Sequence, residues 1–198
     1  EVMAYGLQPD RVERREVTRP RDPLRVTFGG VLSPWKGPHL VVEAVRSIEG
    51  PIELSVRGRL EEPVFQDYID GFRNQAAGDD RISFPGAFDH AELSSVLADT
   101  DLLVVPSTWY ENTPFVMLEA FAAGVPVLVS DLGGMSEIVE EGVNGFTFRS
   151  GDSEDLRAKI EAIRDDRAFW ESVDVREPST IATNLDRLEV LYASDGIC

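Results

Sequence analysis

DLLVVPSTWYENTPFVMLEAFAAGVPVLVSD (101–131) decides the fold. DLLVVPS (101–107) is apolar with almost no alternation, the pattern of a strand buried on both faces. TPFVMLEAFAAG (113–124) reads as an apolar helix, with Thr113 as its N-cap and Pro114 at the first helical position, where no N–H is needed. VPVLVSD (125–131) is a second buried strand. Strand, helix and strand in about thirty residues make a parallel crossover unit.

The same rhythm continues outward. Upstream, LRVTFGG (24–30), PIELSVRG (51–58) and RISFPG (81–86) read as strands. Helical spacing marks 36–48, 62–77 and, after an Asp start, 89–100. Downstream come a short helix (134–142), a sixth strand GFTF (145–148) and a surface helix with an acidic first turn (152–166). The expectation is a doubly wound, Rossmann-like α/β domain over 25–167, with six parallel strands and helices on both faces. Residues 1–24, punctuated by Pro9, Pro20 and Pro23, read as a linker. Residues 168–198 read as a weakly patterned helical segment broken near Pro178.

Charge excludes several functions. The 198 residues carry 19 basic and 36 acidic side chains, a formal charge of −17. That field repels nucleic-acid backbones and anionic lipid. An anionic ligand must therefore be held by a few local donors. No apolar run is long enough to span a membrane. The single cysteine, Cys198, allows no internal disulfide or Cys-based metal site, and His39 and His90 are too few for a His-rich one. A reducing cytoplasm is the expected setting.

In doubly wound sheets ligands bind outside the strand carboxyl ends, and four loops there have unusual content. GGVLSPWKG (29–37) offers Gly30 for close backbone approach and Lys36 as a cation. It matches neither the dinucleotide fingerprint nor the P-loop, and taken alone it reads first as a tight turn with a solvated lysine. RGRLEEP (57–63) places Arg57 and Arg59 around Gly58, suited either to a diphosphate or to pairing with Glu61 and Glu62. FPGAFDH (84–90) has Gly86 for a turn and Phe88 either for base stacking or for the core. In ENTPFVMLE (111–119), the N–H groups of Phe115, Val116 and Met117 would lack intrahelical acceptors and form an anion site. Glu111 and Glu119 bracket that helix start, and either could instead be a solvated carboxylate. Carboxylates on both sides of a phosphate site suit the ribose and hexose of a nucleotide sugar. Gly133 and Gly134 allow a ligand near the backbone, whereas Glu137 fits a helix-start carboxylate.

This set resembles the carboxy-terminal donor-binding domain of retaining glycosyltransferases of family 4, also called group 1, which have the GT-B architecture. The resemblance rests on the E-x7-E element at Glu111 and Glu119, the Pro126–Val127 strand start, Gly133-Gly134-x-x-Glu137 and FGGVLSPWKG (28–37), within about 25–165. It implies that Glu111 contacts hydroxyls of the transferred sugar and Glu119 those of the ribose. Backbone N–H groups near Thr113 to Val116 would hold the distal phosphate, with Asn112, Pro114 and Phe115 also in the donor-binding set. Gly30, Lys36, Arg57, Gly58 and Arg59 would surround the diphosphate, and Gly86 and Phe88 would face the base. Glu111 and Lys36 would be the catalytic pair. No metal or cofactor is implied, because cations and helix N–H groups do that electrostatic work. Many members carry an arginine where Val31 stands; Arg57 or Arg59 compensates, or diphosphate binding is weaker. Many members also have Phe-Gly after the first glutamate, where Asn112-Thr113-Pro114 stands here; the E-N-x-P form also occurs in the family.

The resemblance further implies a partner. An amino-terminal acceptor domain would complete the enzyme, so this chain is expected to be a fragment inactive alone, with a nucleotide-diphosphate sugar as ligand. The alternatives are a GT-B nucleotide-sugar epimerase and a non-catalytic nucleotide-sugar-binding module. Base, sugar and acceptor are not encoded in these motifs.

Overall fold

A computed structural model describes residues 5–7, 12–15 and 22–194. Much of the expected linker and the last four residues, Cys198 included, lie outside these. Six strands form one fully parallel sheet: β1 (Leu24–Gly29), β2 (Ile52–Arg57), β3 (Ile82–Ser83), β4 (Leu102–Val105), β5 (Val127–Ser130) and β6 (Gly145–Phe148). Their spatial order is β3-β2-β1-β4-β5-β6. The chain winds outward in one direction from β1 and then, after β3, in the other from β4. The switch point between β1 and β4 opens a crevice at their carboxyl ends.

Helices cover both faces. α1 (Pro38–Arg46), α2 (Gln66–Ala76) and α6 (Ser153–Asp165) lie together, with Val41, Val45, Ile69 and Ile160 fully buried against β1 and β2. α3 (Leu93–Ala98) and α4 (Phe115–Ala123) pack around a second cluster with β4 and β5, built on Leu93, Leu103, Met117, Ala120 and Val129. α5 (Gly134–Glu137) follows β5. α7 (Arg167–Ser172) and α8 (Ile181–Ser194) form the carboxy-terminal segment, interrupted around Pro178 as expected.

Element boundaries differ where local chemistry intervenes. β3 is two residues, because Pro85 lacks the N–H a longer ladder needs. α2 begins at Gln66 rather than 62; the chain turns through Pro63, and the Gln66 side chain accepts from the Glu62 N–H. Asp89 caps the turn before α3, its carboxylate accepting from Ala91 and Glu92. α5 is a single turn rather than the nine residues expected. α6 follows its sequence pattern, with Asp152 accepting from Glu154 and Asp155.

The described part of the amino-terminal segment is docked. Leu7 is buried and bridges Thr180 just before α8. The Arg15 N–H donates to the Ala123 carbonyl at the end of α4.

Candidate functional site

Two loops frame the switch-point crevice. The β1–α1 loop runs from Gly30 through a 3₁₀ turn at Pro34–Lys36. Lys36 therefore ends that turn rather than opening α1. Gly37 has φ +70 and sits against β4's exit: a Cβ there would lie 2.2 Å from the Pro106 carbonyl oxygen. Only glycine allows this approach, and it carries Lys36 to the mouth of the β4–α4 loop.

There Lys36 meets Glu111. The Lys36 ammonium lies 2.7 Å from each Glu111 carboxylate oxygen, and the buried Ser107 hydroxyl donates to the same carboxylate. The Glu111 side chain is 15% exposed and that of Lys36 30%. Lysine is a point charge on a flexible stem, so it can exchange one anionic partner for another.

A third loop holds Glu111 in place. Gly133 and Gly134 follow β5, and the Gly134 N–H donates to the Glu111 carbonyl. A Cβ on Gly134 would lie 1.7 Å from the Asn112 carbonyl oxygen. These glycines allow close loop-to-loop packing. Glu137 is exposed in the first turn of α5. Gly58 likewise serves packing, with a Cβ position 2.4 Å from the Gly30 carbonyl oxygen.

The start of α4 also differs from expectation. Pro114, not Thr113, is the N-cap, in extended conformation, and the Thr113 hydroxyl donates to the Asn112 carbonyl. The helix thus begins one residue later. Met117 is not available to a ligand, since its N–H bonds the Pro114 carbonyl. Phe115 and Val116 occupy the first two helical positions, beyond reach of any intrahelical carbonyl. Glu119 is buried on α4, 7% exposed.

The expected positive pocket is divided. One cleft of about 330 Å³ lies at the switch point, lined by Gly29, Gly30, Val31, Lys36, Ser107, Glu111 and Thr113 to Val116, among others. A second, of about 440 Å³, is lined by Arg57, Gly58, Arg59, Glu62, Ala87 and Phe88, and shares Gly30 and Val31 with the first. Arg57 donates to Ser55, and Arg59 is exposed. Phe88 packs over Gly29 and against the second core cluster while lining its cleft. Gly86 has φ +93, with open space where a Cβ would stand. Glu119 lines neither cleft. The two arginines therefore adjoin the Lys36 site rather than complete it.

Sequence reasoning missed three features. Ser107 orients Glu111; a polar residue closing a buried strand was its signal. Gly37 and Gly134 set loop spacing through contacts between segments remote in sequence, which residue order does not reveal. Trp35, Trp109 and Tyr110 stand exposed around the crevice.

Among the described residues no helix is long and apolar enough to cross a membrane, and no group of three His, Cys, Asp or Glu side chains converges for a metal.

A glycine-lined crevice at a 3-2-1-4-5-6 switch point, with a cation and a helix start converging on it, defines a Rossmann-like ligand-binding domain. Residues 10–176 match the family described as glycosyl transferases group 1, and the chain belongs to that family. It is 32% identical to the glycogen synthase of Mycobacterium tuberculosis over 154 residues, 76% of this chain and 36% of that protein. It resembles the crystal structure of Anabaena Alr3699/HepE in complex with UDP and glucose: TM-score 0.76, 26% identity, 87% of this chain and 49% of that one. The solved C-terminal domain of the group 1 protein LpcC from Francisella tularensis shares the fold. Its TM-score is 0.72 at 19% identity, covering 85% of this chain and 92% of that one. The chain spans less than half the length of these curated relatives. The fold is that of the carboxy-terminal half of GT-B enzymes.

Proposed function

We propose that this chain is the donor-binding half of a retaining glycosyltransferase. It would take a nucleoside diphosphate sugar and pass the hexosyl group to an acceptor held by a companion amino-terminal domain. The observation that carries this is the switch-point cleft, where Lys36, Glu111 and the start of α4 line one space. HepE, which shares the fold at 26% identity, was crystallised with UDP-glucose and with UDP and glucose, in keeping with such a ligand.

In this reading Lys36 leaves Glu111 for the diphosphate, and Glu111 turns to hydroxyls of the hexose. The N–H groups of Phe115 and Val116 donate to the distal phosphate, where the α4 dipole favours negative charge. The family resemblance gives Glu119 the ribose hydroxyls, although it is buried on α4 and lines neither cleft. Arg57 and Arg59 approach the nucleotide from the adjoining cleft, where Phe88 and the Gly86 turn face the base. The bond from the anomeric carbon to the phosphate oxygen breaks, and the acceptor oxygen bonds that carbon on the same face. The acceptor proton passes to the departing phosphate. Lys36 and the helix start stabilise the developing charge, so no metal is required. A cytoplasmic setting accompanies the reading, given the single cysteine.

Calorimetric titration of UDP, GDP and ADP, then of their sugars, tests it. One diphosphate should bind, and Glu119→Ala should weaken it. Absence of binding by all three at millimolar concentration refutes the donor site. Sugar transfer by the 198-residue chain alone would refute the need for a companion domain.

A further inference from the structure

The donor reading leaves the largest of the three clefts unused. It measures about 660 Å³ and is bordered by the Lys36–Glu111 pair. It shares Lys36, Glu111, Thr113 and Phe115 with the switch-point cleft, so the two spaces meet at the same carboxylate. Their linings differ in kind. The donor cleft has glycines and helix N–H groups. The outer cleft is walled by Tyr5, Trp35, Trp109, Tyr110 and Phe115.

These rings are not scattered surface apolar residues. Among the described residues six aromatic side chains are exposed, and all but Tyr192 line this cleft. Trp109 is 67% exposed and Tyr110 74%. The walls are also braced. Trp35 packs edge-on against Phe65 at 5.0 Å, and its carbonyl accepts from the Thr108 N–H at 2.8 Å, which fixes its loop beside that of Trp109. Contiguous exposed aromatics at a built cleft mark a binding surface.

A pyranose ring has the matching chemistry: an apolar face of C–H groups for an aromatic wall and an edge of hydroxyls for charged and amide groups. Asn112 and Thr113 supply such an edge beside the rings, with Lys36 and Glu111 at the boundary shared with the donor cleft. We propose that the outer cleft is an acceptor subsite on this domain, in which a terminal pyranose of a carbohydrate acceptor stacks between Trp35 and Trp109 and presents a hydroxyl across Glu111 to the donor. The proposal rests on the donor reading of the neighbouring cleft. It adds that acceptor recognition is shared by this half rather than confined to a companion domain.

The chain's own fluorescence reads the cleft. Of its three tryptophans, Trp170 is buried at 3% exposure and the other two are the cleft walls. Maltotetraose, cellotetraose and chitotetraose are titrated separately at millimolar concentration, with and without UDP, while calorimetry follows UDP itself. At least one tetraose should shift the emission. Trp109→Ala should weaken that glycan about tenfold, the loss of one stacking contact, and Trp109→Phe should retain most of it. UDP affinity should be unchanged in both variants. The subsite is refuted if UDP binds but no tetraose moves the emission. It is equally refuted if Trp109→Ala weakens UDP, which would make the cleft a nucleobase site, or if sedimentation shows self-association that Trp109→Ala abolishes while no glycan binds. Failure of all three nucleoside diphosphates, by contrast, removes the donor reading, and glycan emission is scored independently of that.

Discussion

Asp101 and Glu111 stand at opposite ends of β4, and each is a carboxylate facing basic side chains. Asp101, at the amino end, accepts from the Arg25 backbone N–H at 2.9 Å and from its guanidinium at 3.0 and 2.8 Å, with Arg15 at 3.5 Å beyond. Its side chain is 4% exposed. Hydrogen bonding to Asp101 holds the Arg25 guanidinium above its usual pKa, whereas burial lowers that of Arg15 despite the same carboxylate. Glu111 takes one lysine and one serine and borders two clefts. Saturated by planar forks and enclosed, a carboxylate is a clamp. Held by one mobile ammonium and open to space, the same group is available for exchange. The difference lies in partner geometry and adjacent volume rather than in residue type.

The largest effect is expected at the clamp. Asp101→Ala removes the buried carboxylate that pairs Arg25 and the partly buried Arg15, whose Nε already has no partner, and should cost about 3–5 kcal/mol. Urea denaturation measures this, and UDP affinity of the still-folded fraction should be unaltered. A loss below 1 kcal/mol would show that the two carboxylates are alike. Next comes Gly134→Ala. Its Cβ must displace the Asn112 carbonyl, an overpacking of about 1–3 kcal/mol, and because Glu111 is adjacent, donor binding should fall with stability. Normal UDP-sugar affinity in this variant would mean that loop spacing does not position the site.

Glu111→Gln breaks the comparison from the open side. The partly buried Lys36–Glu111 pair borders two open clefts, so its contribution should stay near the surface-pair range of about 0–1 kcal/mol and stability should change little. Removing the competing carboxylate frees Lys36, so UDP should bind several-fold tighter (order of 1 kcal/mol, as for one exchanged ion pair). The complementary Lys36→Met should weaken UDP. Weaker UDP binding in Glu111→Gln would show that Lys36 is not held in reserve by Glu111.

The fold was legible because β4, α4 and β5 announce burial by composition alone. VPVLVS has no polar alternation, and Gly124 supplies the αL cap between helix and strand. The site was legible only residue by residue. E-N-T-P-F marks a helix start, but its cap shifted by one residue because Pro114 can itself take the extended cap conformation. That Arg57 and Arg59 fall in a different cleft from Lys36 depends on where Gly58 lets β2 exit against the Gly30 carbonyl. Such distances arise from tertiary packing, for which one chain's residue order has no local signal.

The smallest expected effect concerns a pair that contacts neither carboxylate. His39 on α1 and Tyr68 on α2 meet at 2.5 Å between Nδ1 and the hydroxyl. Burial lowers the His39 pKa from 6.5, with the nearby Glu43 carboxylate opposing weakly. Burial also raises Tyr68 from 10 to about 12. The folded state therefore prefers both groups neutral. The histidine contribution is present above its ordinary value of 6.5 and is lost as pH falls through the lowered folded value. The tyrosine contribution is present below 10 and is lost as pH rises through about 12. Both side chains keep some contact with solvent, so each contribution stays under about 1 kcal/mol. His39→Asn should flatten the acid-side decline of the urea midpoint between about pH 7 and 5 without altering UDP affinity. A change in affinity over that range, removed by His39→Asn, would mean that this closed pair communicates with the donor cleft, and enclosure would no longer separate clamps from working groups in this domain.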